Sequence, residues 1–167
     1  MRGRCRHART LRLSLMLVRS AMAAAVIALV MGAAVAEGAG GRPVIERGSF
    51  VERFADDFIF ELCGIETTTT LTQRFEVTTF PDGSQQVHVT RTFVSDDPRI
   101  PIEKGAGASF IDANGVRTVV GTPIHLIGPD GGTRLLDAGL VTFGNELDIR
   151  GPHPSLLVPD LAPYYCP

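Results

Sequence analysis

From Ile65 onward the chain alternates. The odd positions are Ile65, Thr67, Thr69, Leu71, Gln73, Phe75, Val77 and Thr79, a partly apolar set. The even positions, Glu66, Thr68, Thr70, Thr72, Arg74, Glu76 and Thr78, are all polar. A period of two with one wet face predicts a half-buried antiparallel strand, and β-branched threonine suits that surface. Pro81-Asp82-Gly83-Ser84 has turn chemistry. Gln85–Ser95 then alternates again, with Val87, Val89, Arg91 and Phe93 on one face and Gln86, His88, Thr90, Thr92 and Val94 on the other. Matching the two apolar sets fixes the register, because a slip of one residue would turn them to opposite faces. Val77 then opposes Val87, Phe75 opposes Val89, Gln73 opposes Arg91 and Leu71 opposes Phe93. The outward pairs are Glu76–His88 and Arg74–Thr90.

Downstream, Asp96–Pro101 reads as a loop, 104–111 as a glycine-rich strand and Asn114-Gly115 as a hairpin turn. Val116–Ile127 is the next strand, where Pro123 signals an edge or a bulge. Gly128–Gly132 turns the chain into Thr133–Phe143, and a shorter strand follows around 146–150. The tail 151–167 holds five prolines and reads as an irregular strap. Upstream, Ser49-Phe50-Val51-Glu52 fits a capping box. Phe50, Phe54, Phe58 and Leu62 follow at helical spacing, while Phe58, Phe60 and Leu62 alternate. A short helix near 50–56 and a strand near 58–63 are predicted. The fold expected is all-β: an antiparallel up-and-down meander of about six to eight strands, closed into a small barrel so that no edge is exposed. A β-sandwich is the alternative.

Charge divides the chain of 167 residues. Six of its sixteen Lys and Arg residues lie in the first nineteen positions, and all eighteen acidic residues lie beyond position 36. A basic start, an apolar run at Ala21–Ala36 and the exit Ala34-Val35-Ala36 have the form of a secretory signal peptide. Sixteen residues fall short of the roughly 20 a spanning helix needs. The expected organisation is a signal peptide at 1–36, a flexible spacer at 37–48 and a single β domain at 49–167. Such a protein is secreted, to the cell envelope or beyond, and meets the membrane only through its leader. Beyond residue 36 ten basic residues face eighteen acidic ones, a formal charge of −8. That excludes nucleic acid as a partner, since phosphate binding needs a basic face.

Two cysteines, Cys63 and Cys166, remain in the exported part. In an oxidising compartment they most simply form one disulfide. Free thiols or a metal are the competing assignments, and two isolated cysteines lack the paired spacing of a zinc site.

The segment Phe58-Ile59-Phe60-Glu61-Leu62-Cys63-Gly64, the alternating Thr-rich strands, the Asp130-Gly131-Gly132 turn and the late Cys166 resemble a group of small secreted bacterial all-β proteins of unknown function that carry an N- and a C-terminal cysteine. The resemblance spans roughly Phe58 to Cys166 and implies an exported all-β domain with the two cysteines paired. It implies no activity. The tail departs from the pattern, since Tyr164-Tyr165-Cys166-Pro167 follows a proline-rich strap.

Candidate chemistry centres on Arg91, which the register turns to the apolar face beside Gln73 and Thr69. A buried guanidinium must be paired. One assignment is a ligand lumen walled by Phe75, Phe93 and their aliphatic neighbours, with a polar end at Arg91, Gln73 and Thr69. The other is an internal Asp or Glu as partner to Arg91, or escape of its head to solvent at a rim. His125 and Asp137 admit a register in which they neighbour each other on the wetter face of their strands. Asp56-Asp57 and Asp96-Asp97 are acidic doublets of the kind found in solvated loops. No serine, cysteine or histidine stands in a nucleophile or metal-ligand pattern, so no catalytic residue, metal or cofactor is expected. The function expected is non-catalytic binding of a small, partly apolar molecule or of a cell-surface partner. The alternative is a cyclase or isomerase with Arg91 as the electrostatic element and a carboxylate such as Glu61 as base.

Overall fold

A computed structural model describes residues 41–167. Residues 1–40, on which the expected signal peptide falls, lie outside the described residues. Seven strands, β1 (Val44–Ala55), β2 (Thr68–Thr79), β3 (Gln85–Ser95), β4 (Ile102–Ile111), β5 (Arg117–Ile127), β6 (Thr133–Phe143) and β7 (Leu147–Arg150), form one antiparallel sheet in chain order. Between β1 and β2 lies helix α1 (Asp57–Cys63), and after β7 come two single turns, α2 (Pro154–Leu157) and α3 (Ala162–Tyr165). The β2–β3 register is the one the alternation predicts: Leu71 with Phe93, Gln73 with Arg91, Phe75 with Val89 and Val77 with Val87.

Two expectations are corrected. The first concerns 44–63, where strand and helix trade places. The Ser49–Glu52 pattern lies inside β1, which begins at Val44, and 57–63 is helical. Phenylalanines four apart share one face of a strand as readily as one face of a helix, so Phe50 and Phe54 could not discriminate. The N-cap is Asp56, whose Oδ1 accepts the Ile59 N–H at 3.1 Å, and Gly64 closes the last turn on the Phe60 carbonyl. Asp57 adds negative charge to the first turn, where the helix dipole favours it.

The second concerns closure. Among the described residues β1 pairs with β2 alone and β7 with β6 alone, so the sheet is not closed into a barrel, nor is it split into a sandwich. β7 has four residues against twelve in β1, too short to serve as a closing partner along its length. The face that a barrel would seal by closure is covered instead by α1 and the 151–167 strap.

That covered side, the inner face, carries the core. Leu71, Val77, Val87, Phe93, Leu126, Leu135 and Val141 are buried there, with Ile59 of α1 and Leu161 and Tyr165 of the strap. A row of positions across the sheet, Gly107 to Gly121 to Gly139, carries no side chains. Gly121 and Gly139 have φ of +128° and +133°, open to glycine and strained for other residues. A Cβ at Gly107 would lie 2.6 Å from the Val120 carbonyl, and one at Gly121 2.7 Å from Gly107 Cα. The backbones of β4, β5 and β6 therefore converge on the inner side, and the sheet bends along this row.

The cover is locked to the sheet by bonds as well as packing. Cys63 at the end of α1 is disulfide-bonded to Cys166, with Cα atoms 5.4 Å apart. Thr69 donates its hydroxyl to Asp56 Oδ2 at 2.6 Å. The Phe58 and Tyr165 rings meet edge to face at 5.0 Å. Asp137 of β6 accepts the Ser155 N–H at 3.0 Å and is bonded by the Ser155 hydroxyl. No helix among the described residues is long and apolar enough to cross a membrane.

Candidate functional site

The polar centre of the inner face is built across four strands. Gln73 of β2 opposes Arg91 of β3, which opposes Gly105 of β4. Gly105 leaves room for the guanidinium: a Cβ there would lie 3.0 Å from Arg91 Nε and 2.6 Å from the Pro123 carbonyl. Arg91 thereby crosses β4 and donates from Nη2 to the Pro123 carbonyl at 3.3 Å. Its Cζ lies 5.5 Å from the centroid of the Phe93 ring, a cation–π distance. The same Nη2 is 3.8 Å from Glu103 Oε1, and the Tyr165 hydroxyl donates to Glu103 Oε2 at 2.8 Å. Arg91 is thus paired with an internal carboxylate that the strap also grips.

Gln73 is different. It is 1% exposed, and neither its amide nitrogen nor its amide oxygen has a hydrogen-bond partner. Burying an amide unsatisfied costs about 1–3 kcal/mol. The strand alternation put this amide beside Arg91 with no local partner to absorb it. A second orphan, His153, is equally buried at the N-terminus of α2, with both ring nitrogens unpartnered.

The other expected wall residues divide. Phe75 is half-buried and its ring lies over Gly48 of β1, where a Cβ would come within 2.5 Å of it. Phe93 is buried beneath Arg91. Thr69 is buried too, but its hydroxyl proton is committed to Asp56.

At the opposite end of the inner face stands Arg117, the first residue of β5. Its Nε and Nη2 approach Ser109 Oγ at 3.4 and 3.1 Å. Arg117 is exposed at the strand end, yet partial desolvation by its neighbours, and then the positive charge of Arg91, hold its pKa below that of a free guanidinium. Two cations share this wall with one central carboxylate, Glu103.

The remaining candidates are placed elsewhere. His125 and Asp137 do not meet. One extra residue of β5 between Gly121 and Ile124 inverts the alternation, so that Ile124 opposes Asp137 and His125 opposes Leu136. Asp137 is therefore turned inward to Ser155, while His125 is outside and bonded to Thr133 Oγ1 at 2.8 Å. The same bulge puts Leu126 inside opposite Leu135 and leaves Leu136 40% exposed outside. Glu76 and His88 are opposed in register, yet Glu76 accepts from Arg47 at 2.6 Å and His88 bonds Gln86 at 2.8 Å. They border a shallow hollow of about 540 Å³ with Arg74, Thr90 and Ala108, which Phe75, Val89 and Gly107 also line. Glu61 is exposed on α1. Asp96 accepts from Thr67 Oγ1 at 2.6 Å and the Thr68 N–H at 3.0 Å, which lower its pKa.

Sequence reasoning missed Glu103 and Tyr165. The inward register of Arg91 demands an internal acid, which is the signal that could have found Glu103. Nothing local marks Tyr165, because its position depends on the strap folding back. Comparison with protein-family models, with curated proteins and with solved structures finds no match to this chain, so any functional reading rests on the chain's own geometry.

Proposed function

We propose that this protein is a secreted, non-catalytic binding module whose inner face takes up a small, partly apolar molecule. The observation that carries the reading is Gln73: a fully buried amide, unpartnered, beside a paired arginine on the inner face. A molecule that offers Gln73 a donor and an acceptor relieves the cost of its burial. Phe75, Val89 and Phe50 are half-buried on the same face and supply apolar contact. Export is supported by the leader composition and by the disulfide, which belongs to an oxidising compartment.

Binding is favoured over the cyclase or isomerase alternative because the carboxylate beside Arg91 is engaged. Glu103 accepts from Tyr165 and faces Arg91, which leaves it without the free oxygen of a general base. The test is titration with N-phenyl-1-naphthylamine, a neutral apolar dye that brightens on leaving water. Saturable one-to-one binding that Val89→Asp abolishes is expected. Absence of binding, or binding indifferent to a charge at position 89, overturns the reading.

A further inference from the structure

Arg117 and Ser109 form an arrangement that the paired Arg91 does not explain. Ser109 is 8% exposed, and its Oγ accepts from two nitrogens of the Arg117 guanidinium. Having accepted both, the serine hydroxyl still carries its own proton, with no acceptor for it among the described residues. Arg117 itself is exposed at the rim, no protein group is bonded to its Nη1, and no carboxylate lies within ion-pair distance of it among the described residues. The one central carboxylate, Glu103, is held by Arg91 and Tyr165. Glu46 shares the inner row of Ser109, but it stands on β1, three strands away, or about 14 Å at ordinary strand spacing. Two kinds of donor thus converge on one place that holds no anion of the protein's own, in a domain whose formal charge is strongly negative.

The surroundings are apolar. Val87, Val119 and Val141 occupy the same row as Ser109, and at the rim Phe143 and Leu147 are 46% and 55% exposed. We propose that Arg117 and Ser109 form an anion subsite at the open end of the inner face, so that the molecule bound there is a monoanion, a carboxylate or sulfonate carried on an apolar body. This rests on the inner-face binding reading and deepens it. Arg117 supplies charge and its unpartnered Nη1, Ser109 donates its hydroxyl proton to the same anion, and the valine row with Phe143 and Leu147 covers the apolar part.

The test compares two dyes of nearly the same shape on the disulfide-bonded protein: 8-anilinonaphthalene-1-sulfonate, an anion, and N-phenyl-1-naphthylamine, which lacks the charge. The wild type is expected to bind the sulfonate at least tenfold more tightly at low salt, with the preference shrinking as salt rises. Arg117→Gln is expected to weaken the sulfonate by tenfold or more and to leave the neutral dye within twofold. Arg117→Lys is expected to recover part of the loss, and Ser109→Ala to lose several-fold for the sulfonate only. Equal affinity for the two dyes in the wild type, or loss of both alike in Arg117→Gln at unchanged Tm, overturns the anion subsite while inner-face binding stands. Failure of both dyes to bind the wild type overturns the two readings together.

Discussion

Replacing Gln73 with leucine puts the unpartnered amide to a direct test. The side chains have similar volume, so the change removes a buried amide without opening a cavity. In the ligand-free protein that amide forfeits its hydrogen bonds to water and gains none in return, at about 1–3 kcal/mol. Leucine suffers no such loss, and Gln73→Leu is expected to be the more stable protein by that amount. At about 2.1 cal/mol/K per residue, the 127 described residues unfold with an entropy of about 0.27 kcal/mol/K. The gain then corresponds to a rise in Tm of about 4–11 °C. The assay is a thermal melt by circular dichroism on protein refolded from urea with its disulfide intact, which strips any molecule carried through purification. The same variant is expected to lose affinity for ligands that offer a hydrogen bond to the amide. A Tm that fails to rise, or that falls, would mean that Gln73 is already bonded in the empty protein, and the reasoning that makes it a ligand reader would be refuted.

Further outcomes follow from the same structure. The Cys63–Cys166 link spans 103 residues, and removing it by the double change to serine is expected to cost about 4–5 kcal/mol in urea denaturation, the loop-entropy value for that length. A loss below about 1 kcal/mol would deny that the staple matters. Tyr165→Phe deletes the hydrogen bond to Glu103 and is expected to cost about 1.5–3 kcal/mol, read in the same assay. Gly139→Ala places a Cβ against the Arg150 carbonyl at a φ of +133° and is expected to destabilise by about 2–3 kcal/mol, read as a lowered urea midpoint. Asp97 has its pKa held down to about 2 by hydrogen bonds from Arg99. Because the folded value lies below the unfolded 3.8, its stabilising effect is present above pH 3.8 and fades as pH falls toward 2. Asp97→Asn is expected to flatten that part of the pH–stability profile, followed by urea midpoints from pH 5 to 2.

Much of the strand pattern was legible because period two is a local property. Leu71 to Val77 and Val87 to Phe93 carry their own register, and the hairpins at Asp82-Gly83 and Asn114-Gly115 announce themselves. The switch at 44–63 was not legible, because a four-residue spacing of Phe50, Phe54 and Phe58 satisfies both periods. Only the Asp56 side chain bonding Ile59 N–H decides where the helix starts. The separation of His125 from Asp137 was not legible for a related reason. Pro123 signalled an edge or a bulge, but the alternation does not say that one inserted residue flips every position after it. Of the candidate site, Arg91 beside Gln73 followed from register alone. Glu103 and Tyr165, which are 62 residues apart in sequence, did not, because their meeting depends on the strap returning over β4.

The chain-order sheet has a consequence for biogenesis. Each strand pairs with the one made just before it, so hairpins can zip up while later segments are still being made. The sulfur of Cys63 has to wait, since its mate arrives only after all seven strands. A copy cut short before Cys166 would keep most of its ladder yet leave a bare thiol and an uncovered apolar surface, the two marks by which folding surveillance recognises unfinished goods.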